Sequence, residues 1–470
     1  MSKVLSSPSP AKGVEVVTSS DLLDWDRSSS RRFVFVSRTL SADHASVELV
    51  YELDGIRLVE KLEFPAVQVS ISARRIPAIE RALDLLHWVA GVSYWKAGCP
   101  LDVGFGSRSP DGWQAAWLNR LYREGLAEFA YCNGLNRDHW SRIFSADSGS
   151  DPDAELDRTT PERSGLARRT LLPLGGGKDS LVAWSRLVRT GDQPDTVQIG
   201  SSPVIERIGR SLEGDHWMVR RALDPRLQDL NRAGAWNGHV PVTAINAAIC
   251  VLAALLMDYD RVVFANERSA NEASLEDASG NPVNHQFSKS LEFEVMLDEW
   301  VGRYIEPDLK VFSILRQDRE LAICREFADQ TRFHPLFASC NRNFHLDGPR
   351  IDRWCGRCPK CLFVFLGLAP FMSPASLSAI FGRDLLEDSD LTEGFAQLLA
   401  LDGVKPLECV GEAEEARAAV KALAGKTQWM DHDVVQALSS RLAGIHVSDL
   451  EEVCRPGGRH LIPPECLHAA

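Results

Sequence analysis

The chain has 470 residues, 44% hydrophobic and 25% charged, a mix that suits two to four globular domains and argues against a mostly disordered chain. Its 52 Lys and Arg against 65 Asp and Glu leave a net charge of −13, which disfavours a surface that grips nucleic-acid phosphates. The longest apolar run, 13 residues from Ile245 to Met257, falls short of the ~20 needed to span a bilayer, and the first residues lack an export core, so a cytoplasmic protein with no membrane or nucleic-acid partner is expected.

Residues 1–30 are rich in Ser, Pro and charge and read as a flexible lead-in. From Arg32 the texture is β. Phe33-Val34-Phe35-Val36 is followed by alternation through 45–53, a hairpin signal at Asp54-Gly55 and further alternation through 56–62. Apolar spacing predicts helices over 76–92 and 113–133. A polar, acidic stretch with Pro and Gly begins at 146. Read as a linker over 146–168, it closes a β-rich α+β domain over 31–145.

Beyond it, short apolar strands at 170–174, 196–199, 217–219, 261–265 and 309–314 alternate with helical stretches, notably 180–187 and the strongly apolar 242–257. That rhythm predicts an α/β domain over 169–372, its parallel sheet covered on both faces. From 373 to 470 the spacing is helical, at 377–381, 395–401, 413–424 and 434–442, which predicts a helical C-terminal module.

The first strand of the α/β domain runs into Leu174-Gly175-Gly176-Gly177-Lys178-Asp179-Ser180. Glycines let backbone N–H groups approach phosphate oxygens, and a helix start adds the positive end of its dipole. Ser180 can cap the helix or donate to a phosphate. The turn is not a Walker A loop, because Asp179 follows Lys178 and Leu172 stands where the first glycine belongs. It is not a dinucleotide fingerprint either, since that spacing puts Ser180 at the last glycine. It resembles the S-G-G-x-D-S loop of the ATP pyrophosphatases: Gly176 to Ser180 match, and Gly175 stands where Ser is usual, which removes one hydroxyl donor. The resemblance implies ATP bound by Gly175, Gly176, Gly177, Lys178, Asp179 and Ser180, and cleaved between its α and β phosphates. The bland alternative is a strand-to-helix turn with no ligand.

Four of the eleven cysteines crowd into residues 340–361, as Cys340 and the C-x₂-C-x₂-C of Cys355, Cys358 and Cys361. Four thiolates can close a tetrahedral zinc site with no open position, hence a structural ion. An iron–sulfur cluster or free thiols are the alternatives. A similar site occurs in the 7-cyano-7-deazaguanine synthases, which also use the pyrophosphatase loop.

Polar segments lie between these motifs. Asn266-Glu267-Arg268 follows a predicted strand, where ligands sit in an open α/β sheet. Glu267 suits Mg²⁺, and Asn266 or Arg268 suits a phosphate or carboxylate; the alternative is a solvated loop. His285 and Lys289 are four apart and share a face if helical, which pairs a general base with a cation; the alternative is an ordinary polar helix start. His239, before the long apolar helix, either meets ligand or caps that helix.

Together PLGGGKDS (173–180), GHVPVTA (238–244), FANERSANEAS (264–274), NHQFSKSLEFE (284–294), CGRCPKCLFVF (355–365) and KPLECVGE (405–412) resemble the UDP-N-acetylmuramoyl-L-alanyl-L-glutamate epimerases of bacterial wall synthesis, the MurL family. The resemblance implies an α/β fold of the ATP-pyrophosphatase (PP-loop) type. It also implies ATP and Mg²⁺ with a UDP-muramoyl dipeptide as substrates, adenylation of the terminal L-Glu, inversion of its α-centre, and release of AMP and pyrophosphate. Asp179, Lys178, Glu267, Arg268, His285 and Lys289 are the catalytic candidates. The alternative is a deazaguanine-type ligase that adenylates a small carboxylate.

Overall fold

A computed structural model describes residues 25–66, 71–106, 108–145, 161–273, 275–343, 353–401, 405–408 and 410–467. Residues 1–24 of the expected 1–30 lead-in, residues 146–160 of the expected 146–168 linker, and Ser274 and Cys409 of the quoted motifs lie outside the described residues.

Strands β1 (Arg32–Leu40), β2 (Ser46–Leu53) and β3 (Ile56–Glu63) form an antiparallel meander. The β2–β3 turn places Asp54 at φ +51° and Gly55 at φ +86°. A two-residue hairpin whose twist matches its strands needs positive φ at both central positions, and Asp-Gly tolerates it. Helix α1 (Ile76–Ala90) follows, then β4 (Asp102–Phe105), which pairs parallel with β1. The single helix expected over 113–133 is two, α2 (Gly112–Gly125) and α3 (Ala127–Asn133), broken at Leu126, whose φ −105° and ψ +18° are not helical. The break lies where the chain passes Pro241: a Cβ on Gly125 would come within 3.0 Å of that ring.

The second half supplies β5 (Thr170–Pro173), α4 (Lys178–Arg189), β6 (Asp195–Ile199), β7 (His216–Ala222), α5 (Val242–Met257), β8 (Arg261–Phe264), α6 (Leu291–Trp300), β9 (Lys310–Ser313), α7 (Glu320–Ala328) and α8 (Pro359–Leu368). The sheet has nine strands in the order β9-β8-β5-β6-β7-β3-β2-β1-β4. The five from β9 to β7 pair in parallel, and β7 joins the meander through antiparallel pairs such as Leu62↔Arg221. That pairing extends β7 to Ala222, beyond the expected end at 219.

Strands β5, β8 and β9 bury nearly every side chain, and neighbours along each of them enter different cores. Leu171, Val262 and Val311 belong to one core, with α1 and α5. Leu172, Val263 and Phe312 belong to the other, with α4, α7 and α8. The period-two geometry of a strand thus splits one sheet between two cores. Helix α5 buries 13 of its 16 residues, which suits a helix apolar all round. Helices α9 (Pro374–Phe381), α10 (Thr392–Leu398), α11 (Ala413–Ala424) and α12 (Asp433–Arg441) add to the second core. Among the described residues, no helix is long and apolar enough to cross a membrane.

In chain order the parallel strands lie fifth, fourth, first, second, third. Their order therefore reverses between β5 and β8. In doubly wound sheets the ligand crevice lies beyond the carboxyl ends of the strands at that reversal.

Candidate active site

Both strands flanking the reversal carry a singled-out motif at their carboxyl ends. After β5, the chain turns through Leu174–Gly177 into α4. Gly176 has φ +77°, which a side chain rarely adopts, and its carbonyl accepts the Ala338 N–H at 3.1 Å. Gly177 is the cap residue of α4, and a Cβ on it would touch Ser339 at 3.4 Å. Gly175 is exposed and faces open space. Ser180 is therefore not the cap; its hydroxyl donates back to the Gly177 carbonyl at 3.3 Å.

Lys178, at the helix start, is buried, and its ammonium bonds the carboxylates of Asp179 and Glu320. Burial alone would lower its pKa, but the two carboxylates hold it well above the usual value. Glu320 is pushed up to about 8 by burial, then by the charge of Asp179, with Lys178 opposing and Glu267 reinforcing. Two carboxylates thus hold the ammonium, with a third, Glu267, close enough to act on Glu320. Glu320 opens α7 just beyond β9, which lies next to β8. No motif marked it; the signal in the sequence was an acidic residue past the end of a predicted parallel strand.

After β8 come half-buried Asn266, buried Glu267 and half-buried Arg268. The Arg268 N–H donates to the Asp318 carbonyl at 2.7 Å, and its guanidinium reaches the Arg455 carbonyl at 3.3 Å. Arg316, wholly buried, donates to the carbonyls of Glu267 (2.7 Å) and Lys289 (2.8 Å) and to the Glu294 carboxylate (2.7 Å). It ties the Glu267 loop to the segment that carries His285 and Lys289. Sequence reasoning missed it, because two of its partners are main-chain carbonyls from separate segments.

His285 and Lys289 do not share an α-helical face. A turn at 285–286 leads into a 3₁₀ turn over Phe287–Lys289, and α6 begins only at Leu291, capped by Ser290. The fold still brings them together with His239. Burial pushes His285 down to about 4, with Glu128 opposing and Lys289 and Lys405 reinforcing. Burial, then the charges of His285 and Lys289, pushes His239 down to about 4. His239 Nδ1 lies 3.8 Å from the Glu128 carboxylate.

The sulfurs of Cys340, Cys355, Cys358 and Cys361 converge within 4.8 Å of one another. Sγ–Sγ separations of 3.4, 3.6 and 3.9 Å bracket the ~3.8 Å expected when four sulfurs surround one ion at about 2.3 Å. Gly356, at φ +67°, makes the turn that aims them inward. The donor set is compatible with structural zinc. It also anchors the glycine turn, because Ala338 and Ser339 touch Gly176 and Gly177 just ahead of Cys340. On its other side, Asn341 donates to Glu408 at 2.8 Å.

Two family models match the chain, the MurL N-terminal domain over residues 24–314 and the MurL C-terminal domain over residues 336–452. A protein of Xanthomonas oryzae pv. oryzae named UDP-N-acetyl-alpha-D-muramoyl-L-alanyl-L-glutamate epimerase is 41% identical over 94% of this chain and 97% of its own. Proteins with the same name from a Micromonospora strain and from Salinispora tropica are each 38% identical over 92% of this chain, covering 97% and 93% of their own lengths. No solved structure matches the chain. The deazaguanine-type ligase finds no support among these relatives. On the strength of both family models and the near full-length identity, the chain belongs to the MurL family.

Proposed function

We propose that this protein inverts the α-centre of the terminal L-Glu of UDP-MurNAc-L-Ala-L-Glu during peptidoglycan precursor synthesis, with ATP activating the carboxylate and AMP and pyrophosphate released. The observation that carries this reading is the Gly176 turn at the strand reversal, with Lys178 beside it, in a chain 41% identical to a named epimerase. The strand order and the position of that turn support an ATP-pyrophosphatase type of fold for residues 169–372.

The chemistry follows from charge. A free carboxylate resists losing its α-proton, because the product gathers two negative charges. When a carboxylate oxygen attacks the α-phosphorus and pyrophosphate leaves, one of those charges is removed. Each unit by which the α-proton becomes more acidic is worth about 1.4 kcal/mol. A base then takes the proton, an acid returns one to the opposite face, and water cleaves the acyl-adenylate to D-Glu and AMP.

In this reading the amides of Gly175, Gly176 and Gly177, with Ser180 and Asn266, hold the phosphates, and Lys178 neutralises them. Asp179, Glu267 and Glu320 offer hard oxygen ligands that fit Mg²⁺, which when bound would offset phosphate charge. Arg268 contacts the substrate carboxylate. His285 handles the α-proton, and Lys289 stabilises the enolate. The four cysteines hold a structural zinc that fixes the 338–341 segment.

The test is purified protein with ATP, Mg²⁺ and UDP-MurNAc-L-Ala-L-Glu in D₂O. Pyrophosphate release with deuterium at the Glu α-carbon is expected. No pyrophosphate rejects adenylation; pyrophosphate without deuterium rejects epimerisation.

A further inference from the structure

Inversion needs two proton-transfer groups, one for each face of the α-carbon, and the reading above names one. The structure gathers a second beside it. His239 sits in the turn before α5, and residues 96 and 133 fix that turn. Lys96 Nζ donates to Asn237 Oδ1 at 2.9 Å, and Asn133 Nδ2 donates to the Asn237 carbonyl at 3.2 Å. Helix α3, which carries Glu128 and Asn133, packs on the short strand Pro282–Val283, directly before His285. The 3₁₀ turn carrying Lys289 packs on α5, directly after His239. Three separate segments therefore deliver Glu128, His239 and His285 to one place.

Burial disfavours the charged form of both imidazoles, and a proton on either ring must be taken up from water and favoured by a neighbouring carboxylate. His239 Nδ1 is buried and makes no hydrogen bond among the described residues, and the Glu128 carboxylate lies 3.8 Å from it. One neutral imidazole is a base as it stands. A carboxylate beside the other lets that ring carry a proton to return.

We infer that His239 and His285 are the two proton carriers that invert the glutamyl α-carbon, one on each face, and that Glu128 is a positioning residue that holds the proton on His239. This rests on the adenylation reading above. One imidazole removes the α-proton, whose bonding pair passes into the enolate of the acyl-adenylate. The other takes up a proton from water with a carboxylate beside it, returns that proton to the opposite face, and water then resets both rings.

The experiment uses the full chain with ATP, Mg²⁺ and either epimer of UDP-MurNAc-L-Ala-Glu in D₂O, for wild type, His239→Gln and His285→Gln. Inversion per pyrophosphate released is expected to fall by about 100-fold or more in each variant, within the range for losing one acid–base group. One variant should still wash deuterium into the L epimer without inverting it, and the other into the D epimer. Inversion at the wild-type ratio in either variant overturns the assignment, as does wash-in from the same epimer in both. Wild type that releases no pyrophosphate fails the underlying reading instead. Should the histidine variants not fold, Glu128 decides: Glu128→Gln is expected to lower the inversion ratio about 10-fold and Glu128→Asp to restore it, and an unchanged ratio in Glu128→Gln overturns the proposal.

Discussion

Around Lys178, a buried ammonium bonds the carboxylates of Asp179 and Glu320, and the charge of Glu267 acts on Glu320. Around His239, burial keeps two imidazoles uncharged, with a carboxylate and an ammonium standing off. The first cluster takes Lys178 and Asp179 from one short stretch and adds Glu267 and Glu320 from later segments; the second is drawn from 128, 239, 285 and 289. The difference suits two tasks. Phosphate and metal need fixed charge of known sign, whereas proton transfer needs groups that change charge. It also teaches that local sequence can write the cation and turn of a charge site, while its further carboxylates, like every member of the proton site, must be brought in from separate segments.

Breaking the charged side should have the largest effect. Lys178→Met leaves the carboxylates of Asp179 and Glu320 without their cation, at a cost of about 3–5 kcal/mol. Urea unfolding should show that loss, and pyrophosphate release should fall about 100-fold or more. A variant as stable as wild type would mean that the ammonium is not a structural partner.

The neutral side predicts a pH dependence. Above pH 6.5 both histidines are neutral whether folded or unfolded. As pH falls from 6.5 towards 4, the unfolded chain takes up protons that the buried His285 refuses, so stability is lost across that window. The loss is up to about 3 kcal/mol for His285 and less for the partly exposed His239. Unfolding free energy measured at pH 7 and pH 4.5 should converge in His285→Gln relative to wild type. An equal loss in both proteins would sink the buried-neutral picture.

The smallest effects separate neighbouring glycines. Gly176→Ala forces a Cβ into φ +77° and should cost about 1–2 kcal/mol, with weaker ATP binding. Gly175→Ser meets open space and should change stability by less than about 0.5 kcal/mol while supplying the usual hydroxyl of the loop. Thermal melts with and without ATP measure both.

Much of this was legible in the residues. The Asp54-Gly55 hairpin, the apolar α5, the strand-turn-helix at 170–189 and the four-cysteine motif each depend on local chemistry, and they stand where patterning put them. The readings that failed were those where local pattern met distant partners. Helix 113–133 breaks beside Pro241, and the 285–289 segment coils as a 3₁₀ turn whose Lys289 carbonyl serves Arg316.

By itself, the sequence determined which segments become strands and helices, where glycine frees the backbone, and which four thiols cluster. Those follow from steric limits and hydrophobic periodicity within about ten residues. Only the tertiary structure decided that the meander continues the parallel sheet through β3 and β7, that Glu320 meets Lys178, and that Glu128 meets His239. Each of these joins residues more than a hundred positions apart, and such contacts are set by how buried faces pack together, which no local pattern encodes.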